Sequence, residues 1–129
     1  MIVDTSAIVA ILFREPEAQA FIDAIGAADS VAIAAPTLVE AAIVSEGRAG
    51  AAMAEELDAL LEVMRPEVVP FTADHARLAR EGWRRFGKGR HPAGLNLGDC
   101  FAYALAKQRG APLLFKGADF SKTDVKAAI

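Results

Sequence analysis

Four short apolar runs punctuate the chain: Met1–Asp4, Ser30–Ala35, Glu67–Phe71 and Pro112–Phe115. Between them the apolar residues recur at helical spacing. Runs this short suit buried strands and leave no room for helices of their own. Strands alternating with helices predict an α/β fold, a three-layer α/β/α domain whose central sheet is mainly parallel. Right-handed crossovers follow as the default connection. The 129 residues suffice for one compact domain, residues 1–129, able to bury roughly two-thirds of its unfolded surface.

The helices are read from caps and stops. Ser6–Leu12 is a helix capped by Asp4 or Thr5. Glu15–Ile25 follows, with Pro16 in its first turn and Gly26 as its stop. Pro36 opens a helix to about Glu46, where Gly47 ends it. Ala51–Met64 carries Leu57, Leu60, Leu61 and Met64 on one stripe. Thr72 caps a helix running to Phe86. Gly87–Leu95 is a Gly/Pro/basic loop, and Asn96–Gln108 is a helix ended by Gly110. The tail Gly117–Ile129 begins with a turn and is otherwise unassigned.

On this frame four acids fall at one edge of the sheet. Asp4 ends the first strand, and Glu40 lies one turn into the helix after the second. Asp99 lies in the first turn of the helix before the fourth strand, and Asp119 follows that strand. Ligands of open α/β sheets bind at this carboxyl edge. Each acid singly has a structural role open to it. Asp4 suits a helix N-cap. Asn96 and Asp99 have capping-box spacing, and Asp119 suits an Asx turn. Glu40 fits such a role least, because Pro36–Val44 is otherwise almost wholly apolar and a lone buried carboxylate is costly. Gly98 is a poor helix former, and its position suits close approach of another group to the backbone. Taken together, four acids at one edge would repel one another and raise their own pKa values. A hard divalent cation, Mg²⁺ or Mn²⁺, removes that conflict.

Other chemistries lack their residues. One cysteine, Cys100, and two histidines give no zinc spacing and no internal disulfide. There is no phosphate-binding glycine loop and no dinucleotide fingerprint. The longest uncharged run, Ser30–Val39, is 10 residues, against about 20 for a membrane span. These features lead us to expect a cytoplasmic protein. The formal net charge is −3, yet six of the 14 Lys/Arg residues fall between Arg77 and Arg90 beside one acid, Glu81. A polyanionic substrate is therefore compatible with the acidic balance. Arg84, Arg85, Lys88 and Arg90, with Trp83 and Phe86 interleaved, are the residues expected to contact RNA phosphates if the substrate is RNA. The two aromatics also read as core or dimer contacts.

Four segments carry a family resemblance: Ile2–Ala7, Pro36–Glu40, Leu95–Ala104 and Leu113–Phe120. In order and in register over residues 2 to about 125, they resemble the motifs of PIN-domain proteins, most closely the VapC toxins of VapBC toxin–antitoxin pairs. The resemblance implies an endoribonuclease dependent on Mg²⁺ or Mn²⁺, cleaving RNA with a metal-activated water. Asp4, Glu40 and Asp99 match the family's three main acids. Asp119 is the best match for a fourth, with Asp124 in reserve; a further acid common in related toxins is replaced by Ala118. Thr5, Ser6 and Asn96 match polar positions lining the site. A cognate VapB-type antitoxin is implied, covering the site and placing an arginine among the acids, and so is a homodimer. Ile8, Ile11, Leu12 and Phe13 with the stripe on Ala51–Met64 would supply the antitoxin's groove, or else ordinary core. Two other readings stand beside this one. An acid-cluster phosphohydrolase would use Asp4 as nucleophile and Lys116 as partner. A non-catalytic PIN-like module would act only through its antitoxin.

Overall fold

A computed structural model describes residues 1–129. Four strands, β1 (Ile2–Val3), β2 (Ala32–Ala34), β3 (Glu67–Val69) and β4 (Leu113–Leu114), form one sheet in the order β3-β2-β1-β4, and every pairing is parallel. The chain winds outward from β1 to β3, then returns to place β4 on the other side of β1. The winding direction therefore reverses between β1 and β4, the position at which open α/β sheets form their binding crevice.

The pleat divides the core into two halves. Val3, Ile33 and Leu114 point to one face, Ile2, Ala32, Ala34 and Leu113 to the other. The first face packs on Ile8, Ile11 and Leu12 of α1 (Thr5–Leu12), Phe21 of α2 (Ala18–Ala27), Ala41 of α3 (Ala35–Ala49), and Leu57 and Met64 of α4 (Ala52–Met64). The second packs on Ala79 and Phe86 of α5 (Ala73–Phe86) and Tyr103 and Leu105 of α6 (Leu97–Arg109). Helices thus cover both faces of a wholly parallel sheet, as the alternating pattern requires.

Several boundaries move, each for a local reason. The second helix begins at Ala18, not Glu15, because Arg14 takes a left-handed φ of 52° and Pro16 falls in the turn after it. α3 runs through Gly47 to Ala49 and ends at Gly50, whose φ is 82°. β3 stops at Val69 because Pro70 has no N–H to continue the ladder. The tail is not left loose. A 3₁₀ turn at Phe120–Lys122 is followed by a bridge to β4, where the Leu113 N–H donates to the Lys126 carbonyl at 2.9 Å.

Ile8, Ile11, Leu12, Leu57 and Met64 are buried, and Leu60 and Leu61 partly so. Most of these apolar stripes are therefore core, while Phe13, Leu60 and Leu61 keep part of their surface open. No helix is long and apolar enough to cross a membrane.

Candidate metal centre

Asp4 sits at the reversal between β1 and β4. Its backbone is extended (φ −89°, ψ 158°), and its Oδ2 accepts hydrogen bonds from the Ser6 N–H at 2.9 Å and the Ser6 hydroxyl at 2.6 Å. It is therefore the N-cap of α1. It is also only 3% exposed. Burial raises its pKa against the pull of the Ser6 bonds, and the charge of Glu40 raises it further. A cap needs no such burial, so capping alone does not account for Asp4.

Asp99 shows the same double role. Asn96 caps α6 through its Oδ1, which accepts from the Asp99 N–H at 2.9 Å, and Asp99 Oδ2 accepts from the Asn96 N–H at 2.9 Å. The capping box is complete, yet the Asp99 carboxyl is pushed up to about 6. Burial is the main cause, and the charges of Asp4 and Asp119 add to it, against the Asn96 hydrogen bond. Glu40, half-buried on α3, is raised by burial and by the charge of Asp99. Asp4, Glu40 and Asp99 thus form a connected set, and Asp119 joins it through Asp99. Glu40 reaches its place over Gly98, where any side chain would meet its carboxylate.

Asp4, Thr5, Ser6, Glu40, Asn96 and Asp99 line one pocket of about 410 Å³. The Thr5 hydroxyl donates to the Thr37 carbonyl at 3.3 Å, tying α1 to the first turn of α3. Asp119 is exposed at the rim, sensed by Asp99 but not lining the pocket. Asp124 is elsewhere. It accepts from the Tyr103 hydroxyl (2.9 Å), Lys107 (3.1 Å) and Arg85 (2.9 Å), so it pins the tail to α5 and α6. It does not line the acid pocket.

The donor set tests the expectation of a metal. No three His, Cys, Asp or Glu side chains stand close enough together to enclose one ion. Mg²⁺ does not require that: it keeps several waters and binds through one or two carboxylates. All the acids are oxygen donors, and the raised pKa values of Asp4, Glu40 and Asp99 mark carboxylates that a nearby cation would stabilise. The residues fit a hard divalent cation held partly through water.

The basic stretch divides. Arg84, Arg85, Lys88 and Arg90 are all exposed. Arg85 is committed to Asp124, and Arg90 lies 4.2 Å over the Trp83 ring centroid. Arg84 and Lys88 form no ion pair. Phe86 is core, and Trp83 remains 42% exposed. None of these residues lines the acid pocket. Instead its other walls include Glu15, Arg48 and Lys116. Neither Glu15 nor Arg48 is singled out from the sequence, although Arg48 follows Glu40 by two turns on α3 and so shares its face.

A sequence model of the PIN domain matches residues 1–126. Together with the sheet order and the acids at its reversal point, this settles the class: the chain belongs to the PIN-domain family. Among its relatives is a Ribonuclease VapC from Mycolicibacterium smegmatis, 49% identical over 127 residues, covering 98% of each chain. Another, Ribonuclease VapC30 of Mycobacterium tuberculosis, is 47% identical over 125 residues, covering 97% of this chain and 95% of that one. Among solved structures, Mycobacterium tuberculosis VapC20, described as a sarcin-ricin loop cleaving toxin, superposes with a TM-score of 0.74 at 19% identity over 97% of this chain and 98% of that one. At that identity the likeness speaks for the fold.

Proposed function

We propose that this protein is the ribonuclease toxin of a VapBC-type pair, an endoribonuclease that works in the cytoplasm with Mg²⁺ or Mn²⁺. The observation that carries the reading is the convergence of Asp4, Glu40 and Asp99 on one pocket at the β1/β4 reversal. Its relatives' names supply the reaction class.

Asp4 and Asp99 would hold the cation directly. Glu40 and Asp119 would hold it directly or through its waters. When bound, a divalent cation polarises the scissile phosphate and lowers the pKa of an attacking water. The rest falls to the chain. Ser6 fixes the Asp4 carboxylate through two hydrogen bonds, and the Asn96 N–H fixes one oxygen of Asp99. Glu40, half-buried and with a raised pKa, is suited to take a proton from the attacking water at its carboxylate. Arg84, Arg85, Lys88 and Arg90 would bind RNA phosphates outside the pocket, Arg84 and Lys88 at least cost because no acid holds them.

A VapB-type antitoxin is the expected protein partner. A homodimer contact belongs on the exposed apolar side chains of α3, α5 and α6, where Val39, Ile43, Trp83 and Leu97 stand in solvent. The reading is tested by cleavage of RNA with and without Mg²⁺ or Mn²⁺ by wild type, Asp4→Asn, Glu40→Gln and Asp99→Asn. Cation-dependent cleavage by wild type and large losses in all three variants are expected. Equal cleavage by all four proteins would point to a contaminant. A covalent phosphate trapped on Asp4 would replace the reading with a phosphohydrolase.

A further inference from the structure

Two cations face the acid pocket, Arg48 near the end of α3 and Lys116 just beyond β4. We propose that Lys116 and Arg48 form the phosphate clamp of this pocket, with Glu15 and Glu17 holding the lysine at the rim until an RNA phosphate takes their place. The proposal rests on the ribonuclease reading and assigns the residues that admit the substrate to the acids.

Lys116 is positioned by the same hydroxyl that positions the central acid. Its backbone N–H donates to Ser6 Oγ at 2.9 Å, and Ser6 Oγ donates to Asp4 Oδ2 at 2.6 Å. The lysine is thereby fixed at its backbone relative to Asp4. Its Nζ lies 2.6 Å from Glu15 Oε2 and 3.2 Å from Glu17 Oε2, with the side chain 35% exposed. Ion pairs this exposed contribute little net free energy, so exchanging a carboxylate for a phosphate oxygen costs little. Arg48 is freer still. Its nearest acid oxygen, on Glu15, is 4.0 Å away, its side chain is 55% exposed, and its guanidinium lies 5.5 Å from the Phe13 ring centroid. A planar guanidinium with open donors suits bidentate contact with a phosphate.

Charge balance calls for such a pair. The pocket lining carries four acids, Asp4, Glu15, Glu40 and Asp99, against the two bases. One divalent cation brings that lining to neutrality. Without Lys116 and Arg48 the loaded pocket would remain negative and would repel a polyanion. The basic stretch Arg84–Arg90 does not line this pocket and cannot make up the difference there.

A purely structural role is distinguishable. If Lys116 only staples the turn before α2 to the end of β4, removing its acid partners harms the protein as removing the lysine does. If it is a clamp, removing them frees it. Cleavage of a fluorescent single-stranded RNA oligonucleotide is followed over a series of KCl concentrations for wild type, Lys116→Gln, Arg48→Gln and the double variant Glu15→Gln/Glu17→Gln. Each single variant should lose about tenfold to a hundredfold in kcat/KM, mostly through KM. Each should also flatten the slope of log kcat/KM against log salt by about 0.7. The double variant should exceed wild type in kcat/KM, through a lower KM. Wild-type KM and slope in both single variants would overturn the clamp while leaving the ribonuclease reading standing. A loss in the double variant equal to that of Lys116→Gln would make the lysine a staple. If wild type cleaves no RNA under any cation, the ribonuclease reading fails and the clamp falls with it.

Discussion

Glu40 lies where a side chain on residue 98 would be: a Cβ built on Gly98 meets the Glu40 carboxylate, with Oε1 at 2.6 Å. The two residues are on different helices, α3 and α6, and this approach brings Glu40 over the first turn that carries Asp99. The clash is with the far end of a flexible side chain, not with backbone. Gly98→Ala should therefore be cheap for the fold, and the gain in helix propensity of up to about 1 kcal/mol offsets part of the cost. Activity is another matter, since misplacing a reacting group by about 1 Å can cost on the order of a hundredfold. We expect Gly98→Ala to keep its thermal midpoint within a few degrees of wild type while RNA cleavage falls at least tenfold. Unchanged cleavage would show that Glu40 is not needed in its present place.

The Asp99 carboxyl sets a pH dependence with an uncommon sign. Folding raises its pKa from 3.8 to about 6, so the folded chain binds this proton more tightly than the unfolded chain. Stability of the metal-free protein should rise as pH falls from 7.5 through about 6, and the gain should be complete below 3.8. Asp4 and Glu40 are shifted in the same direction and add to the trend. Thermal unfolding in EDTA across this range reads it directly. Asp99→Asn should flatten the dependence and raise the midpoint at pH 7.5 by a few degrees. Adding Mg²⁺ at pH 7.5 should stabilise wild type and not the variant. A metal-free midpoint that falls steadily from pH 7.5 to 5.5 would sink the coupling of these acids.

Asp119 and Asp124 should separate cleanly. Asp124 holds Tyr103, Lys107 and Arg85. Asp124→Ala should cost about 1 to 2 kcal/mol in urea unfolding, the lower part of the range for bonds to a charged group because this site is partly in solvent. Its Mn²⁺ affinity should match wild type. Asp119→Asn should leave stability unchanged and weaken Mn²⁺ binding about tenfold, the smaller of the effects typical of groups that support metal ligands. Calorimetric titration with Mn²⁺ alongside urea unfolding decides the assignment, and the reverse pattern would make Asp124 the fourth acid.

What the sequence could disclose follows from which interactions are local. Asp4, Glu40 and Asp99 stand out because a carboxylate at a strand end or in an apolar helix carries a cost that composition makes visible. Their meeting follows from a parallel sheet with one carboxyl edge. Gly47 and Gly50 show the limit. Both are plausible helix stops, and only Gly50 adopts a positive φ, at 82°. A glycine inside a helix costs about 1 kcal/mol, too little to force an end there. Asp119 and Asp124 both follow β4 in the unassigned tail, and Tyr103 and Lys107 on α6, which claim Asp124, are remote in the chain. Lys116 likewise meets Glu15 only once the layers have assembled, so no spacing rule finds it, whereas Arg48 lies two turns after Glu40 on the same face of α3.

Ile43 gives the test of self-association. It is 67% exposed one turn after Val39, which is 58% exposed, and Leu97 at the start of α6 is 73% exposed. Pro36, Val39, Ile43, Leu97 and Phe101 line one groove, and Ala79, Trp83, Leu97 and Phe101 line the next, so Leu97 and Phe101 are common to both. Contiguous apolar surface of this kind is uncommon on a monomer and marks a contact site. Glu40 and Asn96 also line the first groove, so a second copy docked there would bring two acid pockets near one another. An unpaired charge at the centre of such a contact costs several kcal/mol. Ile43→Arg should then weaken a homodimer by more than about a hundredfold, giving a monomer in sedimentation velocity with Mn²⁺ affinity retained. Wild type that sediments as a monomer at high concentration would refute the contact. So would an Ile43→Arg dimer as tight as the original.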